Sequence, residues 1–228
     1  MIIAKVIMAM VLGYMIGSIP FGVLIGKHFA KVDVRSHGSG KMGATNVMRV
    51  AGKKAGALVF FLDLSKGTLA VAVAWLVLLG SPWVVVGSVD WWLVRVTPVL
   101  AALAAMAGHT WPVFLKFRGG RGVATFFGGL VALCPPAAIL GGQVTLLGAG
   151  LTRFVSLGSI AGAIASYAIL IPLTIINGFP IEYLAYAFFG TVAIILTHRD
   201  NIARLLAGTE RRVGERIPTG KAPPEERE

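Results

Sequence analysis

The sequence predicts an all-α integral membrane protein of seven transmembrane helices, with the N-terminus outside and the C-terminus cytoplasmic. Three observations predict it. Hydrophobic residues fill 56% of the 228 positions, and mean hydropathy is +0.80. Charged residues make up only 14%, against about 25% in ordinary soluble domains. The apolar residues come in long blocks separated by short polar segments. A soluble domain of this size has too little interior for so much apolar surface, and disorder requires low hydrophobicity.

Apolar blocks cover 2–26, 55–80, 91–107, 123–151, 154–176 and 180–196, and roughly 20 apolar residues cross a bilayer. The stretch from Ile2 to Ile25 is longer than the apolar core of a signal peptide and lacks a small-residue cleavage pattern. It reads as a retained span. The block 123–151 carries Cys134-Pro135-Pro136 at its middle, and a proline pair removes two backbone donors. Two short helices, 123–134 and 137–151, are expected there. Gly13/Gly17, Gly22/Gly26 and Gly158/Gly162 have the small-xxx-small spacing that lets helices approach closely.

Net charge is +11, and 17 of the 21 basic residues fall in three polar segments: 27–54, 116–121 and 198–228. Positive residues stay cytoplasmic. Placing all three segments on one side requires an even number of crossings between each pair, which the divided 123–151 block supplies. The outer loops agree: 81–90 holds no basic residue, and Asn177-Gly178-Phe179-Pro180 is an uncharged turn. Trp83, Trp91 and Trp92 form an expected interfacial cluster. Residues 1–208 read as one transmembrane domain and 209–228 as a polar, disordered cytoplasmic tail. The single cysteine, Cys134, excludes an intramolecular disulfide framework and a cysteine zinc site.

The polar segments carry the chemistry. In the first, Gly38, Gly40 and Gly43 surround Ser39 and Lys41, with Thr45, Asn46 and Arg49 following. Glycines let backbone N–H groups approach an anion, and Lys and Arg supply charge. A Walker A loop does not fit, because Arg35 stands at its first glycine and Met42 follows the lysine. In the second, Gly119-Gly120-Arg121-Gly122 runs into an apolar helix, which suits a phosphate at a helix N-terminus. His109 is a candidate base or an interfacial histidine. In the third, His198 and Asn201 are three apart, and Arg204 follows Asp200 at i, i+4. Asp63 and Lys66, also three apart, lie inside an apolar span, where an ion pair marks function or anchoring. Arg95 and Glu182 fall near outer ends.

Together these segments resemble the bacterial acyl-phosphate:glycerol-3-phosphate acyltransferase family. The resemblance covers almost the whole chain. It includes Gly17-Ser18-Ile19-Pro20-Phe21-Gly22, Gly38-Ser39-Gly40, Gly43-Ala44-Thr45-Asn46, Arg49, Gly52-Lys53, and Phe61-Leu62-Asp63 with Lys66-Gly67. It continues through Gly108-His109, Pro112-Val113-Phe114, Gly119-Gly120, Gly122-Val123-Ala124-Thr125, and His198-Arg199 with Asn201-Ile202. The resemblance implies transfer of a fatty acyl group from acyl phosphate to the 1-hydroxyl of sn-glycerol 3-phosphate. Lysophosphatidate and phosphate would be the products, in phospholipid synthesis. It also implies a cytoplasm-facing site in a bacterial inner membrane. By position, Ser39, Arg49, Arg121, His198 and Asn201 would hold glycerol 3-phosphate. The glycine loops, with Thr45 and Asn46, would hold phosphate. Three positions depart from the usual pattern: Lys41 for Asn, and Arg118 and Arg121 for Lys.

An acyl phosphate is already activated, so no covalent enzyme intermediate is needed. The site must hold two anions side by side, which accounts for clustered cations and N–H donors. The donor's phosphate is the expected proton acceptor, with His109 and His198 as the protein candidates. No metal, cofactor or nucleic acid is implied; the partners are the two substrates and the bilayer. His28 and Asp33 match the His-x4-Asp signature of thioester-dependent acyltransferases, whose other segments are absent. A transporter for a phosphorylated solute is the other competing reading, although no internal repeat supports it.

Overall fold

A computed structural model describes residues 2–79 and 89–214. The expected outer loop with Trp83, and residues 215–228 of the tail, lie outside the described residues. Ten α-helices run in order: α1 (Ile2–Ser18), α2 (Phe21–Ala30), α3 (Ala44–Ala51), α4 (Lys53–Leu78), α5 (Val89–Thr110), α6 (Val123–Leu133), α7 (Pro135–Thr152), α8 (Val155–Asn177), α9 (Ile181–Thr197) and α10 (Arg199–Leu206). No strand occurs among the described residues.

Each apolar block becomes helix, and the breaks follow proline chemistry. The block expected as one span over 2–26 is divided at Ile19–Pro20, because Pro20 has no N–H to continue α1. α6 ends at Leu133 and α7 begins at Pro135, so the 123–151 block is two helices. Pro135 sits at the start of α7, where its missing donor removes no helical bond. Among the described residues, four stretches are long and apolar enough to cross a membrane: Ile2–Ala30, Lys53–Leu78, Val89–Leu115 and Val155–Asn177. α9 and α10, bent by 59° at His198, make a fifth if taken together.

α1 packs along α5 and α4, α4 along α6, α7 along α8, and α9 against α8 and α5. Small residues set these approaches. Gly13 and Gly17 abut the backbone of Ala101 and Ala105 on α5, and Gly158 and Gly162 abut α7 at Thr145. Gly22 and Gly26 instead seat the loop after α2, against Met42 and Val34. At the centre, Phe126 and Tyr186 stack with centroids 5.6 Å apart, and the Tyr186 hydroxyl donates to Phe126 O at 3.0 Å. This packing fixes α6 against α9, and so fixes the spacing between the second and third polar segments. Arg95 and Glu182, in the N-terminal parts of α5 and α9, pair at 2.8 Å and join the two helices.

Candidate active site

The three polar segments converge on one cavity of about 440 Å³, a size suited to a small ligand. Ser39, Gly43, Thr45, Asn46 and Arg49 come from the first segment. Arg121 and Gly122 come from the second, and His198 and Asn201 from the third. His109 of α5 and Asp63 of α4 also line it. One flank is apolar, with Phe60 and Phe61 of α4 and Leu146 and Ala149 of α7.

Asn46 holds the first loop in shape. Its Oδ1 accepts from Ser39 N at 3.0 Å. Its Nδ2 reaches Val34 O, His37 O and Lys41 O at 2.8, 3.1 and 2.9 Å. The residue is 2% exposed. Both amide atoms are thus committed to the loop, and Asn46 organises the site rather than contacting a phosphate.

Four of the glycines expected to bind phosphate do not line the cavity. Gly38 and Gly40 adopt φ of 62° and 68° and turn the chain on either side of Ser39, with Gly40 N donating to His37 O. Gly119 and Gly120 donate their N–H groups to Thr110 O and His109 O at 3.1 and 3.0 Å. A Cβ on Gly120 would collide with the His109 ring. These two glycines close the loop onto α5, and their donors are occupied. Gly122 differs: it lines the cavity with φ of 81°, a left-handed value that favours glycine, and caps α6.

On the wall of the same cavity, Asp63 Oδ1 lies 2.7 Å from Lys66 Nζ and 3.5 Å from His109 Nδ1. All three side chains are buried, and the contacts are ionic in distance but lie off hydrogen-bond angles. Lys66 also sits 5.0 Å from the Phe21 ring centroid. The Asp63–His109 pairing joins residues 46 positions apart, a separation that no local pattern signals.

The third segment brings a residue that sequence reasoning missed. Glu210, assigned to the tail, folds back into the cavity wall. Arg204 pairs with Glu210 at 2.8 Å instead of with Asp200. The one available signal was an acid set among basic residues just past the last helix. Burial pushes Arg121 down to about 10, with Glu210 opposing the shift, so the guanidinium stays charged at neutral pH. Its Nε is buried without a hydrogen-bond partner. Burial, reinforced by the Arg121 charge, pushes His198 down to about 4. Its Nδ1 donates to Ile194 O at 2.8 Å, which leaves Nε2 as an acceptor.

The His28/Asp33 alternative finds no support. Neither residue lines the cavity, and the Asp33 carboxylate is held by the Arg35 guanidinium at 2.7 Å and the Arg35 N–H at 2.9 Å.

The chain is similar to proteins of one family over most of its length. The glycerol-3-phosphate acyltransferase pattern matches residues 7–208. "Glycerol-3-phosphate acyltransferase 3" of Dehalococcoides mccartyi (strain ATCC BAA-2266 / KCTC 15142 / 195) is 56% identical over 216 residues, covering 95% of this chain and 99% of the relative. A glycerol-3-phosphate acyltransferase of Synechococcus sp. (strain JA-3-3Ab) is 43% identical, covering 90% and 91%. Among solved structures, the integral membrane glycerol 3-phosphate acyltransferase PlsY in its glycerol 3-phosphate form superposes with a TM-score of 0.77. It is 38% identical, over 92% of this chain and 96% of that one. The lysophosphatidic acid form gives 0.75 at 36% identity. With the motifs, the helices and these similarities in agreement over nearly every residue, the chain belongs to the glycerol-3-phosphate acyltransferase family.

Proposed function

We propose that this protein transfers a fatty acyl group from acyl phosphate to the 1-hydroxyl of sn-glycerol 3-phosphate. The reaction yields lysophosphatidate and inorganic phosphate at the cytoplasmic face of a bacterial inner membrane. One observation carries the reading: Ser39, Arg49, Arg121, His198 and Asn201 meet around one cavity whose other flank is apolar. The cationic residues Lys41, Arg49, Lys53 and Arg121 suit the phosphates, and the wall of Phe60, Phe61, Leu146 and Ala149 suits an acyl chain.

In the step itself, the 1-hydroxyl oxygen attacks the acyl carbonyl carbon. The bond from that carbon to the phosphate oxygen breaks, and phosphate leaves. The hydroxyl proton goes to the departing phosphate. Positioning supplies much of the rate, because two anions must be held together against their repulsion. Arg49 and Arg121 offset that repulsion. The loop bonded to Asn46 keeps Ser39 in place.

The proposed topology is seven crossings, with α1 and α2 as one and α4 to α9 as the other six. The N-terminus lies outside, and residues 1–208 form the membrane domain. Cysteine accessibility at residues 5, 116 and 178 in sealed vesicles tests the orientation. The activity test is lysophosphatidate formation by purified protein in bilayers. Acyl phosphate should support it and acyl-CoA should not. Efficient use of acyl-CoA would refute the donor assignment, and glycerol 3-phosphate uptake without product would refute the enzyme.

A further inference from the structure

The carboxylate of Glu210 is 5% exposed. Oε1 accepts from Asn201 Nδ2 at 2.6 Å and Ser156 Oγ at 2.9 Å, and Oε2 accepts from Arg204 Nε at 2.8 Å. Val213 N donates to Arg153 O at 2.8 Å, which pins the segment beside α8. Burial favours the protonated acid, but the hydrogen bonds from Asn201, Ser156 and Arg204 outweigh it and hold Glu210 ionised.

An ionised carboxylate only accepts hydrogen bonds. Asn201 must therefore direct its NH2 group at Glu210, and its Oδ1 faces the other way. Asn201 lines the cavity and is 4% exposed. Its Oδ1 is buried with no protein donor, which is costly for an amide oxygen unless a ligand donates to it. His198 Nε2 is a second acceptor in the same wall.

The cavity thus combines cationic groups with hydrogen-bond acceptors, Asn201 Oδ1 and His198 Nε2 among them. Glycerol 3-phosphate matches both, offering an anion and two hydroxyl donors. An amide oxygen is not basic and cannot take a proton, so it suits the hydroxyl that keeps its own. We propose that Glu210 is a specificity-setting positioning residue: it fixes the Asn201 amide so that Oδ1 accepts a hydrogen bond from the secondary hydroxyl of glycerol 3-phosphate. This rests on the acyl acceptor proposed above.

The test compares glycerol 3-phosphate with 3-hydroxypropyl phosphate, which lacks only the secondary hydroxyl. Full-length protein in bilayers is assayed with acyl phosphate. Wild type should favour glycerol 3-phosphate by about tenfold or more in kcat/KM, since an analogue leaves a buried acceptor unpaired. Glu210→Gln lets the Asn201 amide turn over, and should shrink that preference below about threefold, mainly through a higher KM for glycerol 3-phosphate. Glu210→Ala is read in the same way, so one folded variant suffices. Glu210→Asp keeps an accepting carboxylate and should restore part of the preference. Equal losses on both substrates would make Glu210 a structural brace and overturn the proposal. A wild type that acylates neither substrate would overturn the acceptor reading, and this inference with it.

Discussion

The His109 ring occupies the space that a side chain at position 120 would need. Gly120 is therefore the price of seating the second loop directly on α5. Gly120→Ala must displace the ring or the loop, and overpacking of this kind costs about 1–3 kcal/mol. We expect lower thermal stability and a fall in kcat, because His109 lines the cavity beside Asp63. Thermal unfolding and steady-state assays of the variant check both effects.

Lys66 and Asp63 form a buried ion pair one helical turn apart. Lys66→Met leaves a carboxylate uncompensated, and breaking a buried pair costs about 3–5 kcal/mol. The double change Asp63→Asn with Lys66→Met should recover much of that loss. A thermal-unfolding double-mutant cycle measures the coupling, and additive effects would contradict the pairing.

His198 gives a pH dependence with a definite sign. Its pKa falls from 6.5 to about 4 on folding, so the unfolded chain binds the extra proton first. Its stability contribution is fully present above pH 6.5 and is lost as pH falls toward 4. His198→Gln should flatten that part of the stability profile. Unfolding midpoints measured between pH 4 and 8 decide it.

The proton acceptor is separable from substrate binding. If the leaving phosphate takes the proton, His109→Gln and His198→Gln should each keep a substantial kcat even where KM rises. Loss of kcat in His109→Gln, with KM and folding intact, would show a protein base.

Arg121 should act through charge and geometry together. Arg121→Ala is expected to raise KM for glycerol 3-phosphate about 10–100-fold, as for a charge-assisted contact. Arg121→Lys should fall between, because an ammonium keeps the charge but lacks the forked donors. Initial-rate kinetics over a range of glycerol 3-phosphate concentrations give the comparison.

The helices were legible because apolar runs and prolines act locally. Pro135 and Pro136 announced the break between α6 and α7, whereas Pro20 lies inside a single expected span and breaks it into two helices, α1 and α2. The set Ser39, Arg49, Arg121, His198 and Asn201, all of which line the cavity, came from the family resemblance; taken alone, the segment with His198 and Asn201 reads as the end of an amphipathic helix. Roles within those segments were harder. Asn46 looks like a ligand residue by composition, yet its amide serves the loop. Gly119 and Gly120 look like anion donors, yet their N–H groups close onto α5. Glu210 and the Asp63–His109 contact depend on distant segments meeting, which no local pattern encodes.

The cavity draws its walls from residue 39 at one extreme and residue 210 at the other. During synthesis, the first loop must wait on the membrane surface until the last helix and the Glu210 segment have left the ribosome. Contacts of such long sequence separation form late. A partly made chain therefore holds only fragments of the cavity wall. Chain completion becomes a built-in checkpoint, and a substrate meets an assembled pocket or none.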